Sequence, residues 1–226
     1  MKKHSILLCM FLGFSIPLFS LELVGTRWGP ERGGFGFYLD FTSDRDYMLF
    51  YGGSGGGQNV IGTYVQNENN ITLTVVTINE WGELPAYIRQ GTIQCSIIDA
   101  DSIFSQYKLV GSGGLELWST VHIPENGARR IMDGNTVFVF HMNGRVAENV
   151  RIREGPGLQY RFYSFYFYEE PQIFNSVPKG WQIRVLAYSE LTTTVGEEVA
   201  PWYFCVLPIE MGKYIFGWVW GGLLEF

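Results

Sequence analysis

The sequence predicts an all-β fold made of two successive modules, and three observations lead to that prediction. Short segments in which apolar and polar residues alternate, or in which all residues are apolar, recur along the chain. Clusters of Gly, Asn and Asp separate these segments, and few stretches have the helical period of about 3.6 residues. A chain of 226 residues suits two domains, and 46% apolar against 17% charged residues supplies enough side chains for two cores.

Residues 1–20 have the layout of a secretory signal peptide. Lys2 and Lys3 precede an apolar run over residues 6–19 that is too short to span a bilayer comfortably, and we expect cleavage after Ser20. The protein is therefore expected to be exported, and to be periplasmic or associated with the cell envelope. The alternative is that these residues form a buried N-terminal strand or are retained as a membrane anchor. Contact with a membrane is expected only through such an anchor.

The charge balance argues against nucleic acid as a partner. The chain has 16 basic and 22 acidic side chains, a formal net charge of −6, and removal of residues 1–20 takes away two lysines and leaves about −8. Five arginines fall within 25 residues, and either a local basic patch or solvated strand faces would explain them. They are Arg129, Arg130, Arg145, Arg151 and Arg153.

Residues 21–130 are predicted to form an antiparallel meander that closes, or nearly closes, into a small barrel. Turn-forming Ser, Asn, Asp and Gly lie at 43–46, 67–70, 99–102 and 111–114. The predicted strands are FGFYLDF, DYMLFY, VIGTYVQ, ITLTVVTI, TIQCSII, IFSQYKLV and LELWSTV.

The order of features in this first module, GTRW, then FYLDFTSDRDYMLF, then GTYVQNENNITLTV, resembles the small lipocalin-like domains of exported bacterial proteins. The resemblance implies a short barrel with an apolar interior, and such barrels often hold a small ligand. The alternative is that apolar side chains fill the interior, as they do in barrels of about eight strands. The side chains expected to fill it are Phe37, Leu39, Phe41, Leu49, Ile71, Leu73 and Val75.

Several motifs that suggest chemistry have simpler explanations as turns. GGSGG, with Ser54 at its centre, fits the pattern of a serine nucleophile turn, but a strand follows it where that turn requires a helix. Two Asp-x-Asp pairs lack the rest of a calcium loop, and the histidines have no metal-ligand spacing. We expect no metal and no cofactor. The residues concerned are Asp44, Asp46, Asp99, Asp101, His4, His122 and His141.

Two cysteines remain after residue 20, and both lie in apolar segments. Cys95 occurs in IQCSII and Cys205 in WYFCVL. Two buried thiols that pack as small apolar groups are the favoured interpretation. A disulfide between the two halves of the chain is the alternative, because export permits oxidation.

The C-terminal third contains a second set of strands and turns. In NVRIREGPG, Val150 and Ile152 fall on one face of an alternating strand and Arg151 and Arg153 on the other, and Gly-Pro-Gly then forces a turn. The segments that follow are VPKGWQIRVLAYSE, PWYFCVL and YIFGWVWGGLLEF. Residues 131–148 are assigned to a linker or connecting strand.

This C-terminal pattern resembles a bacterial SH3 (SH3b) domain over residues 149–226. The resemblance implies an SH3-like barrel and a non-catalytic module that binds cell-wall peptide or protein ligands. A long insertion between Gly157 and Lys179 and an enlarged turn between Glu190 and Trp202 depart from the family pattern. The matching residues are Asn149, Val150, Arg151, Arg153, Gly155, Pro156, Lys179, Gly180, Trp202, Tyr203, Val206, Gly217, Trp218, Val219 and Leu223.

The insertion is rich in aromatic residues that would point to both faces of a strand, while a small barrel can bury only one face. We expect the rest of the chain to cover the other face. The first module, the strand VFVFHM, a partner protein or a stacked glycan are the candidates for the cover. The aromatic residues are Tyr160, Phe162, Tyr163, Phe165, Tyr166, Phe167 and Tyr168.

The function expected from the sequence is that of a non-enzymatic, exported binding or adaptor protein of the bacterial cell envelope, with peptidoglycan peptide or an envelope protein as the partner. A small-molecule carrier that uses the N-terminal barrel is one alternative, and a cell-envelope hydrolase with an unrecognised site is the other. The expected ligand-binding residues are Arg151, Arg153, Tyr160, Trp181, Trp202 and Trp220.

Overall fold

The computed structural model describes residues 21–34, 36–52, 58–79, 86–89, 91–165, 173–210 and 213–226. Residues 1–20, Ser54 and residues 166–168, which the sequence analysis assigns to a signal peptide, a loop and the aromatic insertion, lie outside this part. The prediction of an all-β fold is confirmed. No helix of the described chain has the length and apolar character needed to cross a membrane.

The first module is a closed, eight-stranded antiparallel barrel in which each strand pairs with the next and the last pairs with the first. One short helix, α1 (Ala86–Arg89), lies between β5 and β6. The strands are β1 (Arg27–Gly29), β2 (Gly36–Phe41), β3 (Asp46–Gly52), β4 (Gln58–Asn67), β5 (Asn70–Asn79), β6 (Thr92–Asp99), β7 (Tyr107–Gly111) and β8 (Leu115–Ser119).

Alternation along these strands fills the barrel interior with side chains. In β5, Ile71 and Leu73 are buried while their neighbours are more exposed, as expected for a strand with one face in a core. Trp28 is fully buried and its indole N–H donates to the Thr26 hydroxyl at 3.0 Å. The prediction of a closed barrel is confirmed, and its interior is a packed core.

One predicted barrel strand is shorter than the sequence suggests. The segment IFSQYKLV was expected to be extended throughout, but β7 begins only at Tyr107. Ile103 and Phe104 leave the barrel and pack on the second module. Their apolar character therefore reflects a contact between modules, which a period-two pattern cannot distinguish from a strand.

The second module is a curled six-stranded sheet in which β14 and β9 pair with different ends of β10. The neighbour order is β13-β12-β11-β10-β14. Residues 131–148, assigned to a connection by the sequence analysis, contain β10, which pairs with β11 in the interior of this sheet. The strands are β9 (Arg129–Met132), β10 (Asn135–Val146), β11 (Gln182–Val195), β12 (Glu198–Glu210), β13 (Lys213–Trp220) and β14 (Leu224–Glu225).

This sheet buries apolar residues on both of its faces. The inner face carries Val185, Cys205 and Val219, and segments at 149–165 and 173–178 cover it. The outer face carries Trp202 and Trp218 together with further aromatic residues, and it packs against Ile103 and Phe104 of the first module. The aromatic insertion forms no strand in its described part, where Phe165 packs in the inner core and Tyr160 and Phe162 are exposed. The first module covers part of the outer face of the sheet.

The segment LTTTVGEEVAP forms paired strands, where the sequence analysis expected an enlarged turn. Thr192 pairs with Pro201 and Val195 with Glu198, so β11 and β12 extend as a hairpin arm. Gly196 has a φ of 65° at the tip, a conformation that favours glycine. The β-branched residues of this arm suit an extended backbone, which explains the difference.

The two thiols are free and buried, as favoured from the sequence, and no disulfide joins the modules. Cys95 lies in the barrel core, where burial raises its pKa to about 12. Cys205 lies in the inner core of the second sheet, where burial also raises its pKa. Neither thiol has the exposure or the low pKa of a reactive cysteine.

Candidate binding site

Arg151, a residue of the predicted site, contacts Phe162, which the sequence analysis named only as part of the aromatic insertion. The guanidinium of Arg151 lies over the ring of Phe162, 4.4 Å from its centroid. Both side chains are exposed to solvent. This cation–π contact orients the guanidinium without neutralising its charge.

Arg153 fixes the shape of the adjoining turn. Its Nη1 donates to the carbonyl oxygens of Leu158 and Tyr160 at 3.0 and 2.6 Å. Its backbone N–H donates to Trp218, which ties the segment to β13. Partial burial and the nearby charge of Arg151 lower the pKa of Arg153. The two like charges on one segment favour an anion as the ligand.

Tyr160 lies beside these arginines with its ring directly against Gly155. A Cβ at residue 155 would stand 2.4 Å from the ring, so glycine is required for this packing. The other side of the ring remains accessible, because Tyr160 is 38% exposed. We call Arg151, Arg153, Tyr160 and Phe162 the arginine–aromatic strip.

Trp202 and Trp220, which the sequence analysis placed in the site, are 1% and 6% exposed. The indole N–H of Trp202 donates to the Thr193 hydroxyl at 2.7 Å, and that of Trp220 donates to the Thr193 carbonyl at 3.0 Å. These contacts place both rings in the outer-face core and leave them almost no surface for a ligand. Trp181 is partly exposed where the chain enters β11.

A serine and a histidine meet after β8 in a contact that superficially resembles a nucleophile and its base. The Ser119 hydroxyl lies 2.7 Å from Nδ1 of His122, and burial lowers the pKa of this histidine. The same hydroxyl accepts the His122 backbone N–H at 3.2 Å, and Ser119 is 2% exposed. No carboxylate of the described chain orients the ring. The pair is a local turn contact rather than an accessible catalytic group.

Metal binding finds no support in the described part of the chain. No group of three His, Cys, Asp or Glu side chains comes together there in a way that could hold an ion. Of the predicted turn carboxylates, Asp46 accepts from the Ser43 hydroxyl and Asp101 accepts from the Ile131 N–H. Both therefore have structural partners.

Sequence reasoning missed a second feature, a cleft of about 440 Å³ between the two modules. No motif indicates it, because its residues are far apart in sequence. Ile103 and Phe104, the apolar pair at the start of IFSQYKLV, were the one available signal for a contact between the modules, and the sequence analysis assigned them to a strand. We call this feature the interdomain cleft. It is lined by Arg32, Phe104, Ile123, His141, Arg184, Leu186, Val206, Pro208, Tyr214 and Phe216.

Comparison of the chain with protein-family models, with curated proteins and with solved structures finds no match. Inference about function therefore starts from the residues and their geometry.

Proposed function

We propose that the protein is a non-catalytic, exported binding protein of the cell envelope whose second module holds an acidic peptide ligand on the arginine–aromatic strip. One observation carries the proposal. The exposed Arg151 and the half-buried Arg153 stand on the same segment, and neither guanidinium has a carboxylate partner within the described chain.

The strip suits a carboxylate because its groups are held in place before binding. Phe162 supports Arg151, and the Leu158 and Tyr160 carbonyls hold Arg153. Less side-chain freedom is then lost on binding, which strengthens association. A guanidinium presents paired N–H donors that match a carboxylate, and the tyrosine ring offers a face for a sugar or an apolar side chain.

Peptidoglycan peptide or an acidic segment of an envelope protein is the partner we propose. Both carry carboxylates, and the strip would be a positively charged site on a chain whose overall charge is −6. Nucleic acid does not fit, because that overall charge repels phosphate backbones.

The arrangement of the second module supports an SH3b-like assignment for it. The Lys179–Gly180 turn, with a φ of 87° at Gly180, leads into β11. Trp202 and Tyr203 lie in β12, and Trp218 lies in β13 ahead of the short last strand. These elements follow the family order, while β9 and β10 add strands before residue 149. The closed eight-stranded meander gives similar support to a lipocalin-like assignment for the first module.

The packed barrel interior and the buried thiols direct the proposal away from the two alternatives. A carrier that used the barrel interior would need space that Phe41, Leu39 and Leu73 fill. A hydrolase of the cysteine type would need an exposed thiol, and Cys205 is completely buried.

The experiment is sedimentation with purified peptidoglycan sacculi, followed by titration with soluble peptidoglycan fragments. The wild-type protein should co-sediment, and Arg151→Gln should lower its affinity at least tenfold, because Arg151 supplies an unpaired charge without holding the turn. Arg129→Gln, which makes the same charge change on β9, is the control and should bind as the wild type does. Failure of the wild type to bind, or equal losses in both variants, would overturn the proposal.

A further inference from the structure

We propose that the interdomain cleft binds a small amphipathic carboxylate, a molecule with one anionic head and a medium-length apolar body. This site is separate from the arginine–aromatic strip and does not depend on the function proposed for it. Its volume of about 440 Å³ falls within the range of small-molecule sites.

Two guanidinium groups supply the recognition of the anionic head. Arg32 enters from the loop between β1 and β2, and Arg184 from β11, so the two modules each contribute one. Neither guanidinium forms a hydrogen bond or an ion pair with any described residue, and that of Arg32 contacts only aromatic rings. A guanidinium without an acidic partner attracts a carboxylate, to which it can donate two parallel hydrogen bonds.

Arg32 is positioned by aromatic rings rather than by acids. Its guanidinium carbon lies 5.6, 5.8 and 5.9 Å from the ring centroids of Phe104, Phe204 and Phe216. These cation–π contacts hold the guanidinium and leave its charge without an acidic partner. Because Arg32 already occupies the position that a cationic ligand would take against these rings, the cleft suits an anion.

His141 forms a neutral part of the wall beside Arg184. Burial and the Arg184 charge lower its pKa, an effect that the Ile103 backbone partly opposes. Both ring nitrogens are shielded from solvent, and neither makes a well-formed hydrogen bond to a described residue. An unmade buried hydrogen bond is costly, and a small turn of the ring toward a ligand oxygen would supply one.

The remaining lining suits an apolar body. Ile123 and Tyr214 are 48% and 57% exposed at the cleft, although both have large apolar surfaces. Leu186, Val206 and Phe216 complete the lining from the outer face of the sheet. A ligand chain lying here would remove these surfaces from water, which is the main source of affinity for such molecules.

The test compares three ligands with the same apolar chain, decanoate, decylamine and 1-decanol, by titration into the full-length protein at concentrations below micelle formation. Decanoate should bind and shift the amide resonances of residues 184, 186 and 216. Decanol should bind at least tenfold more weakly, because it lacks the charge, and decylamine should not bind. Equal binding of all three would show non-specific apolar association and overturn the proposal.

Matched variants locate the site. Arg184→Gln should lower decanoate affinity at least tenfold. Arg184 is exposed, so the variant should fold as the wild type does, and far-ultraviolet circular dichroism checks this. Arg151→Gln, on the arginine–aromatic strip, should bind decanoate as the wild type does. Absence of wild-type binding up to millimolar decanoate, or full affinity in Arg184→Gln, would overturn the proposal.

A peptide C-terminus could present the same chemistry as a fatty acid. A short apolar peptide with a free C-terminal carboxylate and the same peptide with a C-terminal amide distinguish these sources. Binding of the free acid alone would identify a peptide terminus as a ligand, while preference for decanoate over both peptides would identify a free carboxylic acid. If Arg184→Gln leaves binding of the preferred ligand unchanged, the cleft is not its site.

Discussion

The barrel and the second sheet bury their strands in different ways. In the barrel, hydrogen bonding closes on itself and the strands enclose one core, with Trp28, Leu39 and Ile71 fully or almost fully buried. The second sheet has two apolar faces, with Val185 and Cys205 on the inner one and Trp202 and Phe204 on the outer one. The barrel completes its own core, whereas the outer face of the sheet depends on residues from the barrel.

This difference explains where the candidate sites lie. A closed barrel with a filled interior offers few concave surfaces. The second sheet meets its neighbour through Phe104 and a few other side chains, and an incompletely filled contact between two modules leaves a cleft. The arginine–aromatic strip lies on the irregular segment that covers the inner face. Both candidate sites therefore depend on how the second sheet is covered.

The largest expected effects come from adding one methyl group to a glycine in each module. Gly62→Ala would place a Cβ 2.1 Å from the Thr74 carbonyl oxygen inside the closed barrel, and Gly217→Ala would place one 2.4 Å from a methyl group of Ile152. We expect Gly62→Ala to cost about 3 kcal/mol and Gly217→Ala about 1–2 kcal/mol. The reason is that the added Cβ at Gly62 meets a backbone oxygen of the barrel at the shorter distance, whereas the nearest atom at Gly217 is a side-chain methyl group and the nearest backbone oxygen, that of Arg153, lies at 2.8 Å.

Urea unfolding measures these costs, and alkylation of Cys95 and Cys205, identified by mass spectrometry, reports on each module separately. Val65→Ala and Val199→Ala, at exposed positions of β4 and β12, are the controls and should change stability by less than about 0.5 kcal/mol. A larger cost for Gly217→Ala than for Gly62→Ala would contradict the view that the barrel is the more rigid module.

An intermediate effect is expected when the contact between the modules is removed. Phe104→Ala deletes two edge-to-face contacts, to Phe204 and Phe216, and should cost about 1–2 kcal/mol. Because loss of the Phe104 contacts destabilises the second sheet, Cys205 in its inner core should be alkylated faster through more frequent opening of that module, while the Cys95 rate stays unchanged. Val121→Ala, an exposed substitution after β8, is the control. Equal acceleration at both thiols would mean that the modules unfold as one unit.

The smallest effects are expected from one surface ion pair in each module. Arg27 donates through Nε and a terminal nitrogen to the two oxygens of Asp40, both at 2.7 Å, and this hydrogen bonding raises the pKa of Arg27. Asp40→Asn should cost about 0.5–1 kcal/mol, since the fork geometry is favourable and Asp40 is partly buried. The single contact between Lys179 and Glu148 is largely exposed, so Glu148→Gln should have no measurable effect in urea unfolding. Equal losses in the two variants would contradict the importance of the fork geometry.

Sequence reasoning was most successful where a strand has one face in water. The alternation around Ile71 and Leu73 gave the orientation of β5, and Ser and Asp at 43–46 gave a turn that the structure contains. It failed at Ile103 and Phe104, because a local apolar run does not reveal whether its cover is a neighbouring strand or another module. The hairpin arm at 191–199 was missed for a related reason, since polar residues there lie on extended strands with little core.

The candidate site divides in the same way. Arg151 and Tyr160 were predicted as exposed ligand contacts and are exposed, whereas the same reasoning selected Trp202 and Trp220, whose rings are buried. An indole can serve a core or a surface equally well, and only its neighbours decide between them. Phe162 entered the sequence analysis as one aromatic residue of the insertion, and its support of Arg151 became visible only in the fold.

The sequence by itself determined the all-β class, the antiparallel meander and the order of the later strands, and it favoured free thiols in apolar strands, because period-two alternation and turn chemistry act over a few residues. The tertiary structure alone decided which face of the second sheet meets the barrel, which tryptophans are buried, and that Arg32 and Arg184 line one cleft. The physical reason is sequence separation, because these contacts join residues tens to more than a hundred positions apart. The local sequence around one buried residue does not identify the residue that covers it.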